Sequence, residues 1–253
     1  MNSFYEKLMQ AELSDALSAL CIVTKIQGSA PGKPGMKMIV YEDGKICGTV
    51  GGGAIEKDVI DKALEIMNTH TPCYFTFNLK TDFNMECGGA AQVYIEPINQ
   101  KKKLYIFGGG HIGKALSGFA FMLGFEINII DERQGIFDDY SNNKFTLINK
   151  HYTEAVNDIK FDNRSFFVIV THKHMHDAEI LKLLCNKTYA YLGMIGSRSK
   201  VGKIKKYLVE EKYLTTPQAE KIDMPIGIKF KAITPNEIAI SILAKIIDVR
   251  NSI

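Results

Sequence analysis

The chain lacks a Cys-x-x-Cys pair, a marked excess of one charge and an apolar run long enough to span a bilayer. Each absence removes a class of function. Its five cysteines, Cys21, Cys47, Cys73, Cys87 and Cys185, are odd in number and dispersed. That pattern argues for reduced thiols in a cytoplasm and against a disulfide framework or a structural zinc. The formal net charge is only +3, and Lys101-Lys102-Lys103 is the single tight basic run. So mild and scattered a charge gives no footprint for nucleic acid. The first residues, Met1 to Glu6, lack the apolar stretch of a secretory signal. No segment approaches the roughly 20 apolar residues of a membrane span. The expectation is a cytoplasmic protein without a membrane partner.

What is present is ordinary in bulk: 253 residues, 46% hydrophobic and 23% charged. That suits two small domains or one large one. The polar, lysine-rich stretch 97–103 marks a boundary, dividing 1–100 from 101–253. The first part reads as a small α+β domain. Ser3-x-x-Glu6 is a capping-box pattern that predicts a helix through about Leu20. Leu20–Val23 reads as a strand, and Asp43-Gly44 as the turn of a hairpin between 36–41 and 45–50. A helix over 54–68 and strands at 74–78 and 92–95 follow.

From Leu104 onward strand and helix alternate, which predicts a parallel, doubly wound sheet. Strands fall near 104–107, 126–130, 145–148, 166–170 and 189–193. Thr234, Pro235 and Glu237 form a strong helix start, whose cap is worth about 1 kcal/mol.

The most informative stretch is 104–131. An apolar strand runs into Gly108-Gly109-Gly110-His111-Ile112-Gly113, then a helix, then a second strand ending in Asp131. In a dinucleotide fold the first glycine permits the turn and the second lets a pyrophosphate approach. The third lets the helix pack on the strand. The helix N-terminus attracts phosphate, and an acid placed like Asp131 accepts from a ribose hydroxyl. Two more loops leave strand ends of the same half. One is Thr171-His172-Lys173-His174-Met175-His176-Asp177. The other, Gly193 to Lys200, carries Ser197, Arg198 and Lys200 as candidate anion contacts, with a plain helix cap as the alternative.

Thr171–His174 resembles the start of the metallo-β-lactamase metal motif, but His176 precedes Asp177 where that motif has the reverse order. No histidine follows His176 to complete a two-metal site. A single metal on His172 and His174 stays as the lesser reading, beside loop capping by Asp177. Tyr-x-x-x-Lys occurs at Tyr41/Lys45 and Tyr140/Lys144, each time in a turn or loop. The chain has a dinucleotide-type cradle without a recognisable redox pair.

The first half has glycine-rich elements of its own: 28–35, 48–53 and 88–89. Glycines at a helix start form an anion nest. Cys87, in a loop before two glycines, reads as an accessible thiol, with a partly buried turn cysteine as the alternative.

Together these elements resemble the XdhC/CoxI family of molybdenum-hydroxylase maturation factors over nearly the whole chain. The matching motifs are Gly28–Met38, Gly48–Glu56, Cys87–Gly89 with Glu96-Pro97, Gly108–Gly113, Asp131-Glu132-Arg133, Gly193–Lys200, Pro225–Ile228 and Thr234–Ala239. The resemblance implies a non-catalytic chaperone that binds the molybdenum cofactor (molybdopterin) and holds it during sulfuration. Such a chaperone then delivers it to a xanthine dehydrogenase-type apoenzyme. It also implies a cysteine desulfurase as partner, and a homodimer.

The candidate cofactor contacts are Gly51, Gly52, Gly53, Glu56, Cys87, Gly88, Gly89, Gly108, Gly110, His111, Gly113, Asp131, Arg133, Ser197 and Arg198, with Cys87 as the metal ligand. The open alternatives are an NAD(P)-dependent oxidoreductase, with NAD favoured by the charge of Asp131, and a hydrolase built on His172 and His174. The chain departs from the family pattern at Gly32-Lys33, where an arginine is usual, and at Ala54, where many members have cysteine. It departs again at Ile228–Ala232, where Leu-Asp-x-Gly-Ala is common.

Overall fold

The computed structural model describes residues 3–14, 16–69, 71–78, 89–98, 101–141 and 143–252, apart from the side chains of Ala54 and His174. The chain divides into two compact units, Met1–Gln100 and Lys101–Ile253.

The first unit contains α1 (Phe4–Leu13), β1 (Ser18–Gln27), β2 (Lys37–Tyr41), β3 (Ile46–Gly48), α2 (Gly53–Thr69), β4 (Cys73–Asn78) and β5 (Ala90–Ile98). The Ser3/Glu6 capping box forms as expected. The helix, however, stops at Leu13 rather than near Leu20. The Ser14 amide bonds to the Ala11 carbonyl, and Ser14 Oγ accepts from the Ala16 amide. That local competition ends the helix and frees Ser18 onward to enter the sheet. The hairpin closes at Asp43-Gly44, with Gly44 at φ +78°.

The strand order is β3-β2-β1-β5-β4, antiparallel throughout. Ile55, Val59, Ala63 and Met67, spaced by four, form one apolar stripe of α2. They pack against Ala19, Cys21 and Val23 of β1 and Val93 and Ile95 of β5. Burying each large side chain contributes about 1.5–3 kcal/mol. The opposite face buries Leu20, Ile39 and Ile98 under Phe4, Leu8 and Ala11 of α1.

The second unit contains β6 (Lys103–Phe107), α3 (His111–Met122), β7 (Glu126–Ile130), β8 (Thr146–Ile148), α4 (Tyr152–Asn157), β9 (Ser165–Ile169), α5 (His174–Leu184), β10 (Tyr191–Met194), α6 (Arg198–Glu210), α7 (Thr216–Lys221) and α8 (Pro235–Arg250). The sheet is parallel, in the order β10-β9-β6-β7-β8. This is the doubly wound Rossmann arrangement.

Alternation along each strand feeds two cores. Leu104, Ile106, Phe166 and Val168 face Leu116 and Ala120 of α3 and Ile242 and Ile246 of α8. Tyr105, Phe107, Phe167 and Ile169 face Tyr152, Ile180, Leu181 and Leu184 on the other side. Near-continuous apolar strands are what burial on both faces requires. α8 opens with the expected Thr234/Glu237 capping box and Pro235 in its first turn. The order of the strands reverses between β6 and β9, so the ligand crevice of this fold lies past Phe107 and Ile169.

Candidate functional site

The glycine loop after β6 is built as its sequence suggests. Gly108 has φ +119°, and a Cβ there would stand 2.4 Å from the Val170 carbonyl oxygen. The loop thus passes directly against the exit of β9. A Cβ at Gly113 would lie 2.0 Å from the Gly108 carbonyl oxygen, which is how closely α3 sits on the loop. Gly110 caps α3 without any side-chain hydrogen bond. A Cβ at Gly110 would meet only Arg133 Nη2, at 3.7 Å. The first amides of α3 and the Arg133 guanidinium therefore border one small hollow, suited to an anion. His111 is exposed at its rim.

The Gly109 side of the loop is covered. Phe137 and Ile136 stand beside it, and Tyr140 Oη donates to the Gly109 carbonyl at 2.9 Å. Lys114 Nζ donates to the Asp139 carbonyl at 2.8 Å and holds that covering segment to α3.

Asp131 stands at the end of β7, where the motif places it, but its side chain turns inward. It is fully buried. Oδ2 accepts from the Gly109 amide at 2.8 Å and from Arg133 Nη2 at 2.7 Å. Oδ1 accepts from the Arg133 amide at 3.0 Å and Nε at 2.9 Å. Burial by itself raises this carboxyl, yet the hydrogen bonds from Arg133 and from the Gly109 amide outweigh it and hold it below the ordinary carboxylate value. The expected ribose acceptor is here a brace for the glycine loop.

The loop past β10 is likewise structural in part. Ser197 caps α6, accepting from the Lys200 amide at 3.2 Å. Lys200 Nζ donates to the buried Asp177 at 2.5 Å, and Thr171 Oγ1 donates to the other oxygen of Asp177 at 2.5 Å. Asp177 therefore ties the exits of β9 and β10 together, the loop-capping alternative. Arg198 remains exposed.

The histidine loop behaves differently from its expectation. His172 is exposed. Desolvation, with the Arg133 charge behind it, pushes its pKa below the ordinary histidine value. His174 opens α5. The histidine that meets other polar groups is His176, which lies 3.1 Å from Glu132, itself 3.3 Å from His151. Sequence reading passed over these three residues as a group. The signal available was that each follows the carboxyl end of a parallel strand, β7, β8 or β9.

In the first unit, three separate glycine segments meet at one end of the sheet. Gly51 has φ +126°, and a Cβ there would be 2.4 Å from the Pro31 carbonyl oxygen. A Cβ at Gly89 would be 2.4 Å from the Ser29 carbonyl oxygen. Gly53 begins α2 with nothing within 4 Å of where its Cβ would be, and Gly52 meets only Pro31 Cβ, at 3.8 Å. Thr49 Oγ1 donates to Glu56 and accepts from the Gly51 amide, so Glu56 braces the turn before α2. Cys87 and Gly88 lie outside the described residues.

Residues 104–246 match the family model of the XdhC Rossmann domain. Residues 15–78 match that of the XdhC and CoxI family. The chain is 32% identical over 260 residues to the uncharacterized protein YqeB of Escherichia coli K12, covering 100% of this chain and 47% of that protein. It thus spans about half the length of that relative.

It is 20% identical over 332 residues to a probable subunit of xanthine dehydrogenase from Bacillus subtilis 168, covering 98% of each. Against the molybdenum cofactor insertion chaperone PaoD of E. coli K12 it is 27% identical over 99 residues, 38% of this chain and 31% of that one. The crystal structure of a xanthine dehydrogenase from Bacillus halodurans shares the fold, with a TM-score of 0.53 at 21% identity over 99% of this chain and 96% of that one. With more than half of its length matched by the Rossmann-domain model, the chain belongs to the XdhC family.

Proposed function

We propose that the protein is a maturation factor that binds the molybdenum cofactor, holds it during sulfuration and hands it to a xanthine dehydrogenase-type apoenzyme. What carries this reading is family membership taken with the likeness of 99 residues to a cofactor insertion chaperone. The partners of this reading are the apoenzyme, a cysteine desulfurase and a second copy of the chain.

The residues present fit such a ligand. Molybdopterin presents a phosphate and a dithiolene-bound metal. The uncapped start of α3 at Gly110, beside Arg133, suits the phosphate, and so does the open start of α2 at Gly52-Gly53. Cys87 would supply a soft thiolate for the metal.

The oxidoreductase alternative draws less support. Both oxygens of Asp131 are already engaged by Gly109 and Arg133. A ribose hydroxyl would have to displace Arg133. A pull-down from cells that make molybdenum cofactor, with pterin and metal analysis, tests the proposal. Recovery of molybdopterin supports it. A clean preparation with tight NADH binding and no pterin would replace it with the oxidoreductase.

A further inference from the structure

The geometry points to a binding site for one divalent transition-metal ion, held by Glu132, His151 and His176. The inference is independent of the cofactor-binding role. The three side chains come from the exits of three strands, β7, β8 and β9, and their donor atoms all lie within 4.8 Å of one another. His151 Nε2 is 3.3 Å from Glu132 Oε2, and His176 Nε2 is 3.1 Å from Glu132 Oε1. Two donors bound to a tetrahedral zinc at about 2.0–2.1 Å are about 3.3–3.4 Å apart. The two histidine–carboxylate separations, each to a different oxygen of Glu132, are close to that length.

Both ring nitrogens of His176 are shielded from solvent, and neither makes a hydrogen bond. The 3.1 Å approach to Glu132 is therefore close without being aligned as a hydrogen bond. Donors that converge on a common centre behave this way, because each lone pair aims at the metal and not at its neighbour. The Tyr152 hydroxyl is also buried without a partner, and its ring lies 5.3 Å from that of His176. It would be a partner for a water on the metal.

His151 Nδ1 is 2.8 Å from Thr153 Oγ1 and 3.4 Å from the Thr153 amide, so the start of α4 orients its ring and turns Nε2 toward Glu132. Two imidazoles and one carboxylate suit zinc or its first-row neighbours. Calcium and magnesium prefer all-oxygen sites. Three protein ligands leave a coordination position open for water or a small ligand.

The test uses the full chain, stripped with a chelator and titrated with Zn²⁺ in competition with a chromophoric chelator, then with Co²⁺ followed by absorption. One equivalent of Zn²⁺ is expected, and the Co²⁺ form should show d–d bands without a thiolate charge-transfer band. Glu132→Gln, His151→Gln and His176→Gln should each weaken binding at least a hundredfold. Thr153→Val should weaken it about tenfold. Cys73→Ser should leave it unchanged, with thermal melting confirming that each variant is folded. Absence of stoichiometric binding overturns the assignment. So does binding that survives all three ligand substitutions, or that is lost with Cys73→Ser. If a ligand variant does not fold, the Co²⁺ spectrum of the unaltered chain decides, since a thiolate band places the ion elsewhere.

Discussion

The carboxylate of Asp131, at the end of β7, reaches the Gly109 amide past the end of the neighbouring β6, 2.8 Å away, and is itself fully buried. A residue whose position suggests a ligand contact is the brace that fixes the phosphate-type loop. Arg133, paired to the same carboxylate, is left facing Gly110.

Replacing Asp131 with Asn should therefore cost stability. Removing one partner of a buried ion pair costs roughly 3–5 kcal/mol, and the partial exposure of Arg133 places the loss near or below the lower figure. The folded-state pKa of Asp131 is depressed. Its contribution is full above the ordinary carboxylate range, about 3.9, and disappears as pH falls through the folded value. Urea melts of the unaltered chain should lose stability below about pH 4, and the Asn variant should lose less over the same interval.

Glycines along α3 separate packing from propensity. Gly113→Ala should destabilise by about 3 kcal/mol or more, because its Cβ would stand 2.0 Å from the Gly108 carbonyl oxygen. Gly118, five residues on in the same helix, has nothing within 4 Å of a Cβ position. Gly118→Ala should stabilise by up to about 1 kcal/mol. Thermal melts of the two variants should move in opposite directions.

Lys200, in the first turn of α6, belongs to a stretch whose sequence reads as an anion site, yet it neutralises the buried Asp177. Lys200→Met should cost about 3 kcal/mol. The loss should change little between low and high salt, because the pair is shielded from solvent. A loss that vanished in salt would mean the pair is open to water.

The thiols should differ sharply in reactivity. Burial pushes the Cys21 thiol up to about 12 and raises that of Cys185 as well, whereas Cys73 is exposed. At pH 8 a thiol reagent should modify Cys73 roughly a hundredfold faster than Cys21, the latter reacting only on unfolding. Peptide mapping after timed alkylation measures both.

Much of this architecture was legible because it rests on local signals. The run from Leu104 to Asp131, the Asp43-Gly44 hairpin and the Thr234 capping box each need only neighbours in sequence. The end of α1 was not, since a competing Ser14 contact decided it. The inward turn of Asp131 depends on Arg133 folding back onto it, which spacing does not reveal. The meeting of Glu132, His151 and His176 depends on strand order, which only the assembled sheet supplies. Of the cofactor contacts expected from sequence, Gly110 and Arg133 border one hollow, and Gly52 and Gly53 line the open start of α2.

The affinity of the unaltered chain, Gly110→Ala and Gly53→Ala for isolated molybdenum cofactor tests most directly whether the glycine-lined helix starts hold a phosphate. Added methyls at these positions meet nothing closer than Arg133 Nη2 at 3.7 Å, so both variants should fold normally. The unaltered chain should bind the cofactor, and each variant should bind roughly tenfold more weakly, a loss of about 1.4 kcal/mol. Cofactor that fails to bind the unaltered chain, or that binds all three equally, would contradict the claim that glycine-lined helix starts hold its phosphate.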